Sequence, residues 1–138
     1  MNAVDTSMVV AAFASWHEGH RSATEVVALG ARLPAHCAIE SYSVLTRLPS
    51  PHRVAGALAR DFLLSRFTEP LLTLDPSDHL ALLEQLAEKA ITGGAVYDGL
   101  VALTAARHGA RLFSRDQRAA KVYEAMDVDF EIIAGARS

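Results

Sequence analysis

A very short apolar run at the start of the chain ends abruptly in an acid. Ala3 and Val4 are enough for a buried central strand, and Asp5 follows them directly. Ser7 can cap a helix that begins with the apolar residues at positions 8–10. In open α/β sheets, ligands bind beyond the carboxyl ends of the strands. An acid between a buried strand and a helix is therefore well placed for chemistry.

The same order of strand, acid and helix recurs along the chain. Short apolar runs that predict further strands lie at residues 34–39, 69–74, 111–113 and 130–133. Glu40 follows the first of these runs, Asp75 follows the second as a helix cap, and Asp116 follows the third within a capping-box pattern. Strands that alternate with helices predict a three-layer α/β fold with a parallel sheet of about five strands, covered by helices on both faces.

Helical stripes fill the intervals between these runs. We expect helices at residues 8–16, 21–31, 53–67 and 95–109, with a further one after Asp75 that stops at Gly93. Two more are expected, one that starts at about Glu40 and ends before Pro49, and one that begins at Ser114. The segment 95–109 is apolar on almost every side and has Asp98 in its first turn. An acid at the start of a buried helix is harder to explain as surface decoration than the caps elsewhere.

Composition limits the class of protein. At 138 residues with 51% hydrophobic residues, the chain fits one domain, which we expect at residues 1–134 with a short tail at 135–138. The apolar runs are far too short to cross a bilayer, so we expect a cytoplasmic protein with no membrane association. Cys37 is the only cysteine and is expected to be buried. The formal charge of −3 argues against nucleic-acid binding by bulk electrostatics alone.

Several arginines and two histidines could bind phosphate or a metal ion, but an ordinary surface role is also open for each. Arg47, Arg53 and Arg60 could contact phosphate, as could Arg66, and Arg53 and Arg60 are expected to share a helical face. A solvated surface explains these arginines about as well. The run His17-Glu18-Gly19-His20 could suggest a metal site, but a polar loop between two helices explains it better, because no third ligand lies at suitable spacing.

Four acids now fall at predicted strand ends or first helical turns, which a parallel sheet brings to one edge. They are Asp5, Glu40, Asp98 and Asp116. Clustered carboxylates repel one another unless protons or cations neutralise them, and oxygen ligands suit Mg²⁺ or Mn²⁺ better than zinc. Such a site is well suited to phosphodiester hydrolysis.

With these four acids in this order, the chain resembles the PIN-domain ribonucleases, specifically the VapC-type toxins of toxin–antitoxin pairs. The motifs that carry the resemblance are Val4-Asp5-Thr6-Ser7, Glu40 with Val44-Leu45-Thr46-Arg47-Leu48-Pro49, Tyr97-Asp98, and Ser114-Arg115-Asp116-Gln117-Arg118-Ala119-Ala120. Each motif alone is weak, whereas all four in this order, spread over nearly the whole chain, are fairly specific.

The resemblance implies an endoribonuclease that depends on Mg²⁺ or Mn²⁺ and cuts structured RNA, such as a loop of transfer or ribosomal RNA. Asp5, Glu40, Asp98 and Asp116 would then be the catalytic, metal-binding acids. Ser7 and Ser114 would orient these carboxylates, and Arg115 would join the arginines listed above as a possible RNA contact. Some family members have a further acid after the fourth, where this chain has Ala119 and Ala120.

The resemblance also implies partners. A homodimer is expected, together with a small antitoxin of the VapB type whose C-terminal segment lies in a groove near the active site. We expect that groove along the helix at 54–67 and the helices near Met8 and Val26.

Two other families with acidic sites fit poorly. A haloacid dehalogenase-like phosphatase needs a second Asp two residues after the first, where this chain has Ser7. A receiver domain needs a lysine at a strand end, whereas Lys89 and Lys121 lie within predicted helices. The alternative that remains is a non-catalytic PIN-like module that binds RNA or regulates a partner.

Overall fold

The computed structural model describes residues 1–133. A parallel sheet runs through the middle, in the order β1-β2-β3, with β1 at Asn2–Val4, β2 at Arg111–Ser114 and β3 at Phe130–Ile132. The registers pair Ala3 with Leu112 and Leu112 with Phe130. The tail expected at residues 135–138 lies outside the described part of the chain, as does residue 134.

The prediction of about five strands was wrong in a specific way. Two further segments extend the sheet beyond β1, but they form only single parallel bridges: Arg32 with Ala3 of β1, and Leu72 with Pro34. Pro34 has no N–H to donate to a sheet, and a helix begins at the next residue. Five segments of the described chain therefore lie side by side, of which three are regular strands.

Seven helices lie within the described residues. They are α1 (Thr6–Phe13), α2 (His20–Ala28), α3 (Ala35–Thr46), α4 (Gly56–Arg66), α5 (Pro76–Glu88), α6 (Ala95–Arg107) and α7 (Ala120–Ala125). None of these helices combines the length and the apolar character that crossing a bilayer requires.

The residues predicted as a strand at 34–39 belong mostly to α3. Cys37, Ser41 and Leu45 are buried at intervals of four residues, which is the spacing of one helical face. A short apolar run cannot be assigned to strand or helix by its pattern alone. As a consequence, Glu40 lies in the second turn of α3 and not at a strand end.

Three other boundaries differ from the prediction. Asp5, and not Ser7, caps α1, because its Oδ1 accepts the N–H of Met8 at 3.3 Å. Helix α4 begins at Gly56, so Arg53 precedes it and shares no helical face with Arg60. Helix α7 begins at Ala120, which leaves Asp116 in the loop after β2.

The core surrounds the sheet and α6. Val4 and Leu112 in the strands, Val9 in α1 and Ala102 in α6 are fully buried. The cysteine at 37 is also buried, as predicted. This packing holds the carboxyl ends of β1 and β2 against the N-terminal ends of α1 and α6, which positions the site described next.

Candidate active site

Asp5 is the most deeply buried acid of the site, with 5% of its surface exposed. Its Oδ1 accepts the Ser7 hydroxyl at 2.5 Å, and its Oδ2 accepts the Tyr123 hydroxyl at 2.7 Å. Burial raises the pKa of Asp5, and the hydrogen bonds to its carboxylate oppose that rise. The carboxylate is thus held in one orientation at the end of β1.

Glu40 reaches the same site from α3. Its Oε1 accepts the Thr6 hydroxyl at 2.5 Å, and its Oε2 lies 3.9 Å from Nε2 of His36 one turn earlier. The His36 ring stacks in parallel on Tyr97, with centroids 5.2 Å apart. Thr6 therefore links the acid of α3 to the helix that Asp5 caps, although Glu40 lies further from the start of its helix than predicted.

Asp98 lies in the first turn of α6, as predicted. Partial burial raises its pKa to about 6, with further contributions from the negative charges of Asp116, Asp5 and Glu40. These carboxylates are therefore close enough to repel one another. A cation between them would relieve the repulsion.

Asp116 lies in the loop after β2, where two interactions orient it. Its N–H donates to the Ser114 hydroxyl at 3.0 Å, and its Oδ1 accepts the N–H of Arg118 at 3.0 Å. The predicted capping box is wrong here, because the loop folds back on Ser114 before α7 begins. The backbone carbonyl of Asp116 accepts the N–H of Ala119, which closes this turn.

Ser7 and Ser114 connect the end of β1 to the loop after β2 through their hydroxyl groups. The Ser7 hydroxyl donates to Asp5 and accepts the N–H of Arg115 at 2.8 Å, and it lies 3.4 Å from the buried Ser114 hydroxyl. Both serines thus join the backbone after β2 to the carboxylate after β1. This is the geometry expected of groups that orient carboxylates, a role that stays a prediction for Ser7 and Ser114.

A cleft of about 430 Å³ opens over these residues. The four predicted acids all line it, and its other lining residues include Thr6, Ser7, His17, Tyr97, Arg115, Arg118 and Tyr123. The structure therefore brings together four acids that are far apart in sequence: Asp5 and Glu40, for example, are separated by 35 positions.

Of the predicted phosphate contacts, Arg115 lines the cleft and the other four arginines, at positions 47, 53, 60 and 66, do not. Arg47 donates to the Ser43 hydroxyl at 2.7 Å, and Arg53 donates to the carbonyl of Leu48 at 3.0 Å. Arg60 pairs with Asp61 at 3.0 Å and lines a separate apolar groove between α3 and α4. Direct contact of these three with a strand bound in the cleft is not supported.

Sequence reasoning missed Thr6 and Tyr123. Thr6 directly follows Asp5 in the sequence, and this position could have identified it as a residue of the site. Tyr123 belongs to the buried face of α7, which was assigned to the core, and its hydroxyl position depends on packing across the fold. Burial raises the pKa of Tyr123, so it remains a hydrogen-bond donor at neutral pH.

The histidines at 17 and 20 do not form a pair of ligands. His20 Nδ1 donates to the carbonyl of Ala11 at 2.9 Å, which attaches the start of α2 to α1. His17 Nδ1 accepts the N–H of Gly19 at 2.9 Å. The predicted loop is present at residues 17–19, but it already begins at residue 14, where the helix was expected to continue to Trp16. His17 reaches the wall of the cleft.

The donor set of the cleft is compatible with a hard divalent cation. Within residues 1–133, no three His, Cys, Asp or Glu side chains form a ready-made metal cage. Mg²⁺ often takes only one or two protein carboxylates and keeps several waters, so a closed cage is not required. Burial raises the pKa of Asp98 and the neighbouring carboxylates add to that rise, a repulsion that a cation in the cleft would relieve.

Comparison of the whole chain with other proteins agrees with this geometry. The chain matches the PIN domain family over residues 3–125. It is 47% identical over 133 residues to Ribonuclease VapC40 of Mycobacterium tuberculosis, covering 96% of this chain and 99% of that one. It is 44% identical over 137 residues to Ribonuclease VapC27 of the same organism, covering 96% of each.

Solved structures share the fold at low identity. FitAB bound to an IR36 DNA fragment superposes with a TM-score of 0.72 and 19% identity, over 96% of this chain and 94% of that one. FitAcB from Neisseria gonorrhoeae gives 0.68 and 18%, over 94% of this chain and 96% of that one. These likenesses confirm the PIN-like α/β fold expected from the sequence. By its family match and its two relatives, the chain belongs to the PIN-domain family and, within it, to the VapC-type ribonucleases.

Proposed function

We propose that this chain is the toxin of a toxin–antitoxin pair and a metal-dependent endoribonuclease that acts in the cytoplasm on structured RNA, at a loop of transfer or ribosomal RNA. The observation that carries the proposal is the convergence of Asp5, Glu40, Asp98 and Asp116 on one cleft. Four carboxylates facing one another are costly to keep without a function. The ribonuclease names of the two mycobacterial relatives support the same activity.

In this proposal the four acids hold Mg²⁺ or Mn²⁺. When bound, such an ion activates water and stabilises charge on the scissile phosphate. The chain's own groups prepare the site: Ser7 and Tyr123 fix both oxygens of Asp5, and Thr6 fixes Glu40. Because these carboxylates are already oriented, little reorganisation is needed when substrate arrives.

The test is cleavage of total cellular RNA by the purified chain with Mg²⁺ or Mn²⁺, followed by sequencing of the fragment ends. We expect discrete cuts that disappear with EDTA and in the variants Asp5→Ala and Asp98→Ala. Asp61→Ala is the matched control, because this acid is exposed on α4 and pairs with Arg60 away from the cleft. It should cut like the native chain.

Two other results would change the conclusion. Cutting that survives both Asp5→Ala and Asp98→Ala would point to a contaminating nuclease. A folded, metal-bound chain that is free of antitoxin and cuts no RNA would favour a non-catalytic module instead.

We also propose that α4 is the surface on which the antitoxin docks. Two depressions flank this helix: one of about 300 Å³ shared with α1 and α2, where the sequence predicted a groove, and a larger one of about 800 Å³ shared with α3. Ile39, Leu64 and Leu71 are exposed along the larger groove. Apolar side chains exposed together commonly mark a protein interface.

Co-expression with the cognate antitoxin tests this surface. Leu64→Glu should weaken the complex, whereas Leu80→Glu, an equally exposed leucine on α5 outside both depressions, should leave it intact. Equal weakening by both variants would count against α4.

The expected homodimer can be measured on the native chain by size-exclusion chromatography with light scattering, where a monomer mass would contradict it.

A further inference from the structure

Arg115 is a cation on the wall of the acidic cleft, and its guanidinium has few close polar contacts. Only 10% of its side chain is exposed. Its Nε is buried and has no hydrogen-bond partner among the described residues. Among the described residues, its ion pair joins Nη2 to Glu18 at 3.8 Å, and the Glu18 side chain is 75% exposed. That distance is too long for a hydrogen bond and solvent screens the Glu18 charge, so the guanidinium retains its capacity to bind an anion.

The loop at 17–19 is shaped around this guanidinium. A Cβ placed on Gly19 would lie 2.3 Å from Cζ of Arg115, so the absence of a side chain at Gly19 is what makes room for the cation. Gly19 has φ −89° and ψ 4°, which alanine adopts without strain. Glycine is thus required here by space and not by backbone conformation.

His17 completes this arrangement. Its Nδ1 accepts the N–H of Gly19, so in the neutral ring the proton resides on Nε2. Burial lowers the pKa of His17, and the charge of Arg115 lowers it further, which keeps the ring neutral beside the guanidinium. All three residues of the His17-Glu18-Gly19 segment therefore lie close to the Arg115 side chain.

We propose that the loop at 17–19 positions Arg115 to bind a non-bridging phosphate oxygen of the RNA strand held by the four acids. The inference rests on the proposed nuclease function and assigns a purpose to a motif that is not a metal site. A guanidinium suits phosphate because its planar fork offers paired N–H donors. Arg115 would be the contacting group, and Gly19 and Glu18 would act through it as positioning residues.

Gly19→Ala tests the proposal while leaving Arg115 in the chain. The new methyl group overlaps only the flexible end of Arg115, so the protein should fold normally with its guanidinium displaced. We expect kcat/KM for RNA cleavage to fall about tenfold, the size of one lost charge-assisted hydrogen bond. Gly94→Ala is the matched control, because that glycine has ordinary helical φ and ψ and open space around it.

A double-mutant cycle shows whether the loop acts through Arg115. Arg115→Met, which keeps an apolar stem, should lower kcat/KM by about tenfold or more. Adding Gly19→Ala to Arg115→Met should then cost nothing further. A full second loss would mean that the loop acts by another route, and full activity of Arg115→Met would overturn the proposal. A structural role alone would lower the melting temperature without this pattern.

RNA binding separates the failure of this inference from the failure of the nuclease function. A fluorescein-labelled RNA oligonucleotide can be titrated with Mg²⁺ present in the Asp98→Asn background, where cutting is not expected. Loss of the Arg115 contact should reduce the slope of log K against log salt by about 0.7. If the native chain never cuts RNA but the slope changes, only the catalytic proposal fails. An unchanged slope and affinity in Arg115→Met would refute the phosphate contact itself.

Discussion

The hydroxyl of Tyr123 donates to Oδ2 of Asp5 at 2.7 Å, a contact between residues 118 positions apart. It joins α7 to the end of β1 and supplies one of the few donors that a deeply buried carboxylate can reach. The acid that begins the chain's functional pattern thus depends on a side chain near its end.

Tyr123→Phe removes that donor while preserving the ring. We expect a loss of about 1 to 3 kcal/mol in the free energy of unfolding at neutral pH, because a buried carboxylate oxygen loses its partner. The pKa of Asp5, already raised by burial, should rise further. Denaturant titration measures the stability change, and Tyr97→Phe, whose ring is exposed, provides a control that should change little.

Asp98 predicts how stability depends on pH in the absence of divalent metal. Its pKa in the folded chain is about 6, above the ordinary aspartate value of 3.8, so the folded state holds the proton more tightly than the unfolded state. Stability therefore falls as pH rises from about 4 to about 6, since the native state binds more protons in that window. Melting curves in EDTA should show this fall, and Asp98→Asn should reduce it. A native chain whose stability rises through this window would contradict the pKa shift.

The Asp98 carboxylate is also expected to lower the stability of the metal-free chain, as the cost of keeping this acid in the site. Because repulsion by Asp116, Asp5 and Glu40 acts on the Asp98 carboxylate, Asp98→Asn should raise the melting temperature of the metal-free chain at neutral pH. The same variant should lose RNA cleavage. A variant that is both destabilised and inactive would indicate that Asp98 supports the fold instead.

Metal binding should reverse the repulsion. Mn²⁺ at a hundred times its dissociation constant would add about 2.7 kcal/mol to the stability of the native chain. A clear rise in melting temperature is therefore expected for the native chain, and a much smaller one for Asp98→Asn. Absence of any shift at millimolar Mn²⁺ would count against the proposed metal site.

Thr6→Val tests the orientation of Glu40 without changing side-chain shape. The hydroxyl of Thr6 holds Oε1 of Glu40 at 2.5 Å, so its loss should weaken Mn²⁺ binding by about tenfold. Thr46→Val, at the other end of α3, removes a hydroxyl that bonds only to backbone carbonyls of its own helix and should not affect the metal. Metal affinity is measured by calorimetric titration, and equal affinities in the two variants would exclude a role for Thr6.

Local sequence signals were sufficient for Asp5 and Asp98. A buried strand followed by an acid, and an acid in the first turn of an apolar helix, depend on neighbours within a few residues, and the structure has both where they were predicted. The α/β class followed from the alternation of strands and helices in the same way. The assignment of all four acids as metal ligands stays a prediction.

The remaining features depended on packing between distant segments. Glu40 was predicted at the start of a helix, but that helix begins five residues earlier, because a short apolar run fits either strand or helix until its neighbours are known. Asp116 was predicted in the first turn of a helix, whereas it lies in the loop before α7. Arg115, and not Arg53 or Arg60, lies at the cleft because only the folded chain decides which cation meets the acids. The sequence by itself determined the α/β class and indicated the four acids that the folded chain places around one cleft. The tertiary structure decided which hydroxyls orient them, since the contacts from Tyr123 to Asp5 and from Thr6 to Glu40 exist only when the helices have packed against the sheet.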